Sequence, residues 1–80
     1  MKGKAQKTLP LSALRKGQEG IIVHLSPPRP GDMEKFLTLG LIPGERLTVL
    51  HHQPLHVVQV GYTQIALDRQ GARAIYLRRV

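Results

Sequence analysis

Apolar and polar residues alternate along much of this chain in short runs, and glycine and proline separate one run from the next. Such alternation places successive side chains on opposite faces of a β-strand. It predicts five strands, at residues 20–25, 46–50, 55–60, 63–67 and 74–77. One face of these strands is expected to fill the interior of the domain, with the side chains of Ile22, Leu47, Val49, Val58, Val60, Ile65, Leu67, Ile75 and Leu77.

Residues 32–40 break the alternation and predict a short helix. Asp32 can cap its N-terminus, and Gly40 can adopt the left-handed conformation that commonly ends a helix. The apolar residues of this segment wrap more than half of a helical turn, so one face of the helix cannot bury them all. These residues are Met33, Phe36, Leu37 and Leu39.

Two tight turns are predicted, one before the strand at residues 46–50 and one between the strands at residues 55–60 and 63–67. Pro43 followed by Gly44 fits a type II turn, because proline presets φ and glycine tolerates a positive φ. Gly61 marks a second break, between two strands. Residues 11–14 fit one helical turn, and residues 68–72 fit another helical turn or a loop.

These elements predict a mainly β fold: a small five-stranded barrel that closes on itself, with one short inserted helix and a helical turn near each end. Eighty residues provide for one core only. We place the domain at residues 9–80 and expect residues 1–8 to form a flexible basic tail.

Composition narrows the class of protein further. The chain has no cysteine, so disulfides and thiolate metal sites are excluded and a reducing compartment is favoured. No apolar run approaches the ~20 residues of a membrane-spanning helix. Residues 1–10 lack the apolar segment of a signal peptide. We therefore expect a cytoplasmic protein.

The sequence offers little for catalysis. The acidic residues are Glu19, Asp32, Glu34, Glu45 and Asp68, and no two of them have a spacing that indicates a general acid and base. Neither Ser12 nor Ser26 lies in a nucleophile elbow. No glycine-rich phosphate loop is present, so GTP hydrolysis is excluded. We predict a protein that is not an enzyme and needs no cofactor.

Four histidines raise the question of a metal site. His51 and His52 are adjacent, so in a strand they point to opposite faces and cannot chelate together. A pair such as His51 and His56 could meet across a short hairpin, but no carboxylate lies nearby to complete a site. His24 is on another strand. The prediction is therefore no specific metal site, with weak binding around residues 51–56 left open.

The sequence resembles the FeoA family. The resemblance rests on the segment from Phe36 to Gly44, with its Leu-Gly-Leu-Ile-Pro-Gly core, followed by Gly61, the run Ile65-Ala66-Leu67, and Ala72. It extends from about residue 11 to residue 80. It implies an SH3-like barrel and a non-enzymatic accessory role in bacterial ferrous iron transport. The implied partner is the cytoplasmic part of FeoB, a membrane permease with a GTPase domain, which would bring the protein to the inner membrane.

Such a role requires a surface for a partner. We expect it on the inserted helix and the turn that follows, with no oligomeric state predicted. The residues expected to bind are Met33, Phe36, Leu37, Leu41 and Pro43, positioned by structural turns at Gly40, Gly44 and Gly61.

The net charge of +7 supports an alternative, a basic barrel that binds nucleic acid or regulates transcription. Only Tyr62 and Tyr76 could stack on bases, whereas single-strand binders usually combine stacking with charge. The basic residues also fit a solvated surface near anionic lipid head groups. Nine of the twelve fall in three groups: Lys2, Lys4 and Lys7; Arg15 and Lys16; and Arg69, Arg73, Arg78 and Arg79.

Overall fold

The computed structural model describes residues 7–80, and its elements follow the predicted runs closely. They are β1 (Leu9–Pro10), a 3-10 turn (Leu11–Ala13), β2 (Glu19–Leu25), α1 (Asp32–Thr38), β3 (Arg46–His51), β4 (His56–Val60), β5 (Thr63–Leu67), α2 (Arg69–Ala74) and β6 (Ile75–Arg79). Residues 1–6 of the predicted tail lie outside the described residues. The flexibility of that tail stays a prediction.

All six strands form one antiparallel sheet in the order β1-β6-β2-β3-β4-β5. The prediction of five strands is therefore corrected to six. The additional strand, β1, is only two residues long, too short for alternation to indicate it. β1 and β5 are the two edges of the sheet, and α2 contacts both. Because one helix reaches both edges, the sheet is rolled, as in a small SH3-like domain.

The rolled sheet encloses an apolar core. All nine residues predicted to fill the interior are buried, because alternation in the sequence matches the pleat of the strands. The core also includes Leu25, the last residue of β2, and residues from the helices and loops: Leu11, Leu14, Phe36, Leu41, Ala72 and Ala74. Among the described residues, the core contains no polar or charged side chain.

Two β-bulges change which residues face inward. The pairing of β2 with β6 shifts between Ile22 and His24, so Val23 is an extra residue in β2. As a result Ile22 and Leu25 both face the core, although they are three positions apart. A second bulge lies in β3, between Val49 and His51.

The helix α1 begins differently from the prediction. Gly31, with φ of +89°, is the N-cap, and no side chain caps the first turn. Asp32 is the first helical residue, and its carboxylate accepts a long 3.4 Å bond from the Nε of Arg29. The predicted capping role of Asp32 is thus wrong, because the left-handed Gly31 ends the preceding loop one residue earlier. Asp32 still lies in the first turn, where the helix dipole favours an acidic group.

α1 ends in a Schellman motif. The N–H of Gly40 donates to the carbonyl of Leu37 at 3.0 Å, and the N–H of Leu41 donates to the carbonyl of Phe36 at 3.0 Å. Gly40 has φ of +99°, as this motif requires. The motif commonly brings its two outer residues into apolar contact, and here both Phe36 and Leu41 belong to the core.

The turn that follows α1 is tied to the sheet. The N–H of Glu45 donates to the carbonyl of Ile42 at 3.0 Å, and Gly44 has φ of +98°, which fits a type II turn around Pro43 and Gly44. The N–H of Gly44 also donates to the carbonyl of Ile22 in β2, at 2.7 Å. The joint between α1 and β3 is therefore fixed to a central strand.

The segment predicted as a helical turn or a loop at residues 68–72 is the helix α2. Asp68 caps it, because its Oδ1 accepts a 2.7 Å bond from the N–H of Gly71.

A two-residue turn at Gly61 and Tyr62 joins β4 to β5, and Gly61 has φ of +59°.

Candidate functional site

The helix α1 and the turn after it expose a group of apolar side chains. Met33 and Leu37 are four residues apart, so they lie side by side on one flank of the helix. Their exposed fractions are 41% and 40%. Beyond Gly40, the turn exposes Ile42, at 45%, and Pro43. We call Met33, Leu37, Ile42 and Pro43 the helix patch.

Two of the residues expected to bind a partner are not on this surface. Phe36 is 6% exposed and Leu41 is 0% exposed. The expectation that they bind a partner is corrected, because the Schellman motif directs both side chains into the core. Ile42, which the sequence did not single out, is exposed in their place.

Leu39 lies on the opposite flank of α1. It lines a cleft of about 290 Å³ together with Phe36 and, from the end of β5, Ala66 and Leu67. The rim of this cleft carries the exposed ion pair of Arg29 and Asp32. The apolar surface of α1 is thus divided between two flanks, as expected from a helix that cannot bury all of its apolar residues.

Backbone hydrogen bonds hold the helix patch in a fixed position. The Schellman bonds fix the end of α1, and the bond from Gly44 to Ile22 fixes the turn to β2. On the helix, Glu34 and Thr38 are exposed and each follows a patch residue directly. The patch therefore combines apolar side chains with a polar rim, which is the usual composition of a protein-binding surface.

The histidines are arranged differently from the expectation. Without a bulge, the register of β3 and β4 would place His51 opposite His56. The bulge in β3 pairs His51 with Val57 instead, and the same register, continued by one residue, places His52 opposite His56. Burial and the neighbouring His52 both lower the pKa of His56. His24 stacks on Tyr76, with ring centroids 4.6 Å apart.

No group of three or more histidine and acidic residues that could hold a metal ion occurs in residues 7–80. The prediction of no specific metal site remains a prediction. The same part of the chain contains no helix with the length and apolar character needed to cross a membrane.

The FeoA domain model matches residues 9–79, almost the whole chain. The chain belongs to the FeoA family. Membership in the FeoA family implies an accessory role in ferrous iron transport, and it agrees with the resemblance found in the Leu-Gly-Leu-Ile-Pro-Gly segment. No curated protein matches the chain.

Several solved structures are similar to this FeoA domain. One is an iron uptake regulatory protein, FeoA, with 26% identity and a TM-score of 0.81; the match covers 92% of this chain and 100% of the other. Another is FeoA from Stenotrophomonas maltophilia, described as a prokaryotic SH3 domain protein in complex with zinc. It has 23% identity and a TM-score of 0.75, and the match covers 86% of this chain and 88% of the other.

The same fold also occurs as part of a longer chain. A manganese-dependent transcriptional repressor matches with a TM-score of 0.85 at 22% identity, over 96% of this chain but 44% of the repressor. At this identity the likeness concerns the fold alone. It indicates that a FeoA-like domain can be one unit of a larger protein.

Proposed function

We propose that this FeoA-family protein is a non-enzymatic accessory protein of bacterial ferrous iron transport, acting in the cytoplasm. It binds the cytoplasmic part of a FeoB-like membrane GTPase permease through the helix patch. The observation that carries this proposal is the exposed apolar surface on α1 and its turn. Family membership supplies the transport context.

The geometry of the helix patch supports a binding role in two ways. Its apolar side chains lie on hydrogen-bonded backbone, so few degrees of freedom are lost when a partner binds. Apolar anchors near the centre of an interface commonly contribute ~2 kcal/mol or more each, whereas charges at the rim mainly change the association rate. Leu37 and Ile42 are the candidates for such anchors.

The test is a binding measurement with the cytoplasmic domain of the FeoB-like permease from the same organism. We expect Leu37→Gln to weaken binding at least about tenfold, which is about 1.4 kcal/mol. Ile42→Gln should have a similar effect. Val23→Gln is the matched control, because Val23 is exposed to the same 40% but lies in β2.

Thermal melts of all three variants are needed to show that the fold is intact. Equal binding by the Leu37 and Val23 variants would refute the role of the helix patch. Failure of the wild-type protein to bind the permease domain at all would refute the choice of partner.

The nucleic-acid alternative predicts a different result. Charge reversal at Arg78 and Arg79, in β6, should then abolish tight and salt-sensitive binding to RNA. Under our proposal this double variant has a smaller effect on permease binding than Leu37→Gln.

A further inference from the structure

A second surface feature shares no residue with the helix patch. It is a cleft of about 550 Å³ between the loop that joins β3 to β4, the helix α2, and the 3-10 turn. Its polar lining consists of positively charged or hydrogen-bonding side chains: Ser12, His52, Gln53, His56, Arg69 and Arg73. Among the residues that the structure describes, no carboxylate lines it.

The two arginines can act together. Arg69 and Arg73 are four residues apart in α2, so their side chains leave the same face of the helix. Within residues 7–80, neither guanidinium has a hydrogen-bond or ion-pair partner. Among the described residues, the neighbouring Asp68 forms no ion pair with either arginine; its Oδ1 accepts from the N–H of Gly71. Two unpaired guanidinium groups on one face of a helix can bind the same oxyanion, because each can donate two parallel hydrogen bonds to carboxylate or phosphate oxygens.

His56 adds an independent observation. Its Nε2 is buried and lacks a hydrogen-bond partner among the described residues. Buried polar atoms in proteins are nearly always paired. This nitrogen has almost no exposed surface, so a ligand in the cleft reaches it only if the side chain of His56 turns toward the cleft. Burial and the neighbouring His52 lower the pKa of His56, which favours the neutral ring, and a neutral imidazole can donate one hydrogen bond.

We propose that this cleft binds an oxyanion, a phosphate or a carboxylate. Arg69 and Arg73 supply the charge, the hydroxyl of Ser12 supplies a hydrogen bond, and His56 supplies another when its ring turns toward the cleft. A divalent cation is disfavoured here, because two arginines line the cleft and none of its described lining residues is a carboxylate. The oxyanion can be free phosphate or a carboxylate on an acidic peptide.

The experiment is an NMR titration of the isotope-labelled protein with sodium phosphate, with sodium chloride used to hold the ionic strength constant. We expect saturable shifts at the ring of His56 and the guanidinium groups of Arg69 and Arg73, with a millimolar dissociation constant. Arg73→Gln should weaken phosphate binding at least about tenfold. Arg78→Gln, which removes the same charge from β6, is the matched control and should leave binding nearly unchanged.

A parallel titration with a short peptide, acetylated and rich in glutamate, distinguishes the two sources of the oxyanion. Tighter binding of the peptide would identify an acidic protein segment as the ligand, and tighter binding of phosphate would identify the free ion. Both results support the proposal. It is overturned if neither ligand saturates, or if Arg73→Gln and Arg78→Gln weaken binding equally, since the protein's overall positive charge would then explain the attraction.

Discussion

The burial of Leu41 makes a quantitative prediction about stability. Its side chain is 0% exposed and lies in the core with Phe36, at the point where α1 passes into the turn. Leu41→Ala removes buried methyl groups and leaves a cavity, a change that typically costs about 2–5 kcal/mol. Leu37→Ala removes the same atoms from a side chain that is 40% exposed. We expect that control to cost less than about 1 kcal/mol.

The expected loss is large for a domain of this size. At about 0.05–0.15 kcal/mol per residue, an 80-residue domain has a free energy of unfolding of about 4–12 kcal/mol. A loss of 2 kcal/mol or more should lower the Tm by at least about 8 °C. Scanning calorimetry of the wild type and both variants measures this difference. Either of two results would contradict the placement of Leu41 in the core. One is a Leu41→Ala protein that melts within about 3 °C of the wild type, and the other is a loss of unfolding free energy no larger than that of Leu37→Ala.

Three further predictions concern the turn and the histidines. Gly44→Val should cost more than about 1 kcal/mol from backbone strain alone, because φ is +98° and, apart from the two neighbouring residues of the chain, no described residue has an atom within 4 Å of an added Cβ. D-alanine at position 44, introduced by synthesis, should restore the melting temperature, and equal loss with either residue would contradict this. The pKa of His56 in the folded state lies below its ordinary 6.5, so the unfolded state binds more protons as the pH falls through 6.5. Denaturant titrations should therefore show that the free energy of unfolding decreases in that range. The decrease should be smaller in His56→Gln. Calorimetry with zinc and ferrous ions should give no stoichiometric dissociation constant tighter than about 1 μM, and such binding lost on His52→Ala or His56→Ala would show a metal site after all.

The strands and their interior residues could be predicted because one physical rule determines both. In β3, β4, β5 and β6, alternate residues face the core, and the sequence alternates in the same phase. The glycines of the turns could be found for a similar reason. The positive φ at Gly40, Gly44 and Gly61 is a conformation that few other residues adopt.

The division of the α1 residues between core and surface was harder to predict. Four apolar residues wrap the helix, and composition does not say which flank faces the sheet. One local signal was present: Phe36 and Leu41 flank Gly40 at the spacing of a Schellman motif, which places them in contact with each other. Applied to the sequence, that signal would have assigned both residues to the core.

The histidine pair shows a limit of arguments from strand register. The sequence of β3 does not indicate that it contains a bulge, and a single extra residue exchanges His51 for His52 opposite His56.

The cleft beside the loop that joins β3 to β4 also depends on residues far apart in sequence. Ser12, His52 and Arg73 meet there only because α2 spans the two edges of the rolled sheet.

The pairing of β1 with β6 has a consequence for how such a domain can be joined to other proteins. Leu9 lies directly opposite Leu77, so the first and last strands are neighbours in the sheet. A polypeptide leading into the domain and one leading out of it therefore pass through nearly the same point. Such a domain can be inserted into a host protein at two positions that are close together in space, so the insertion need not push apart the host residues that flank it.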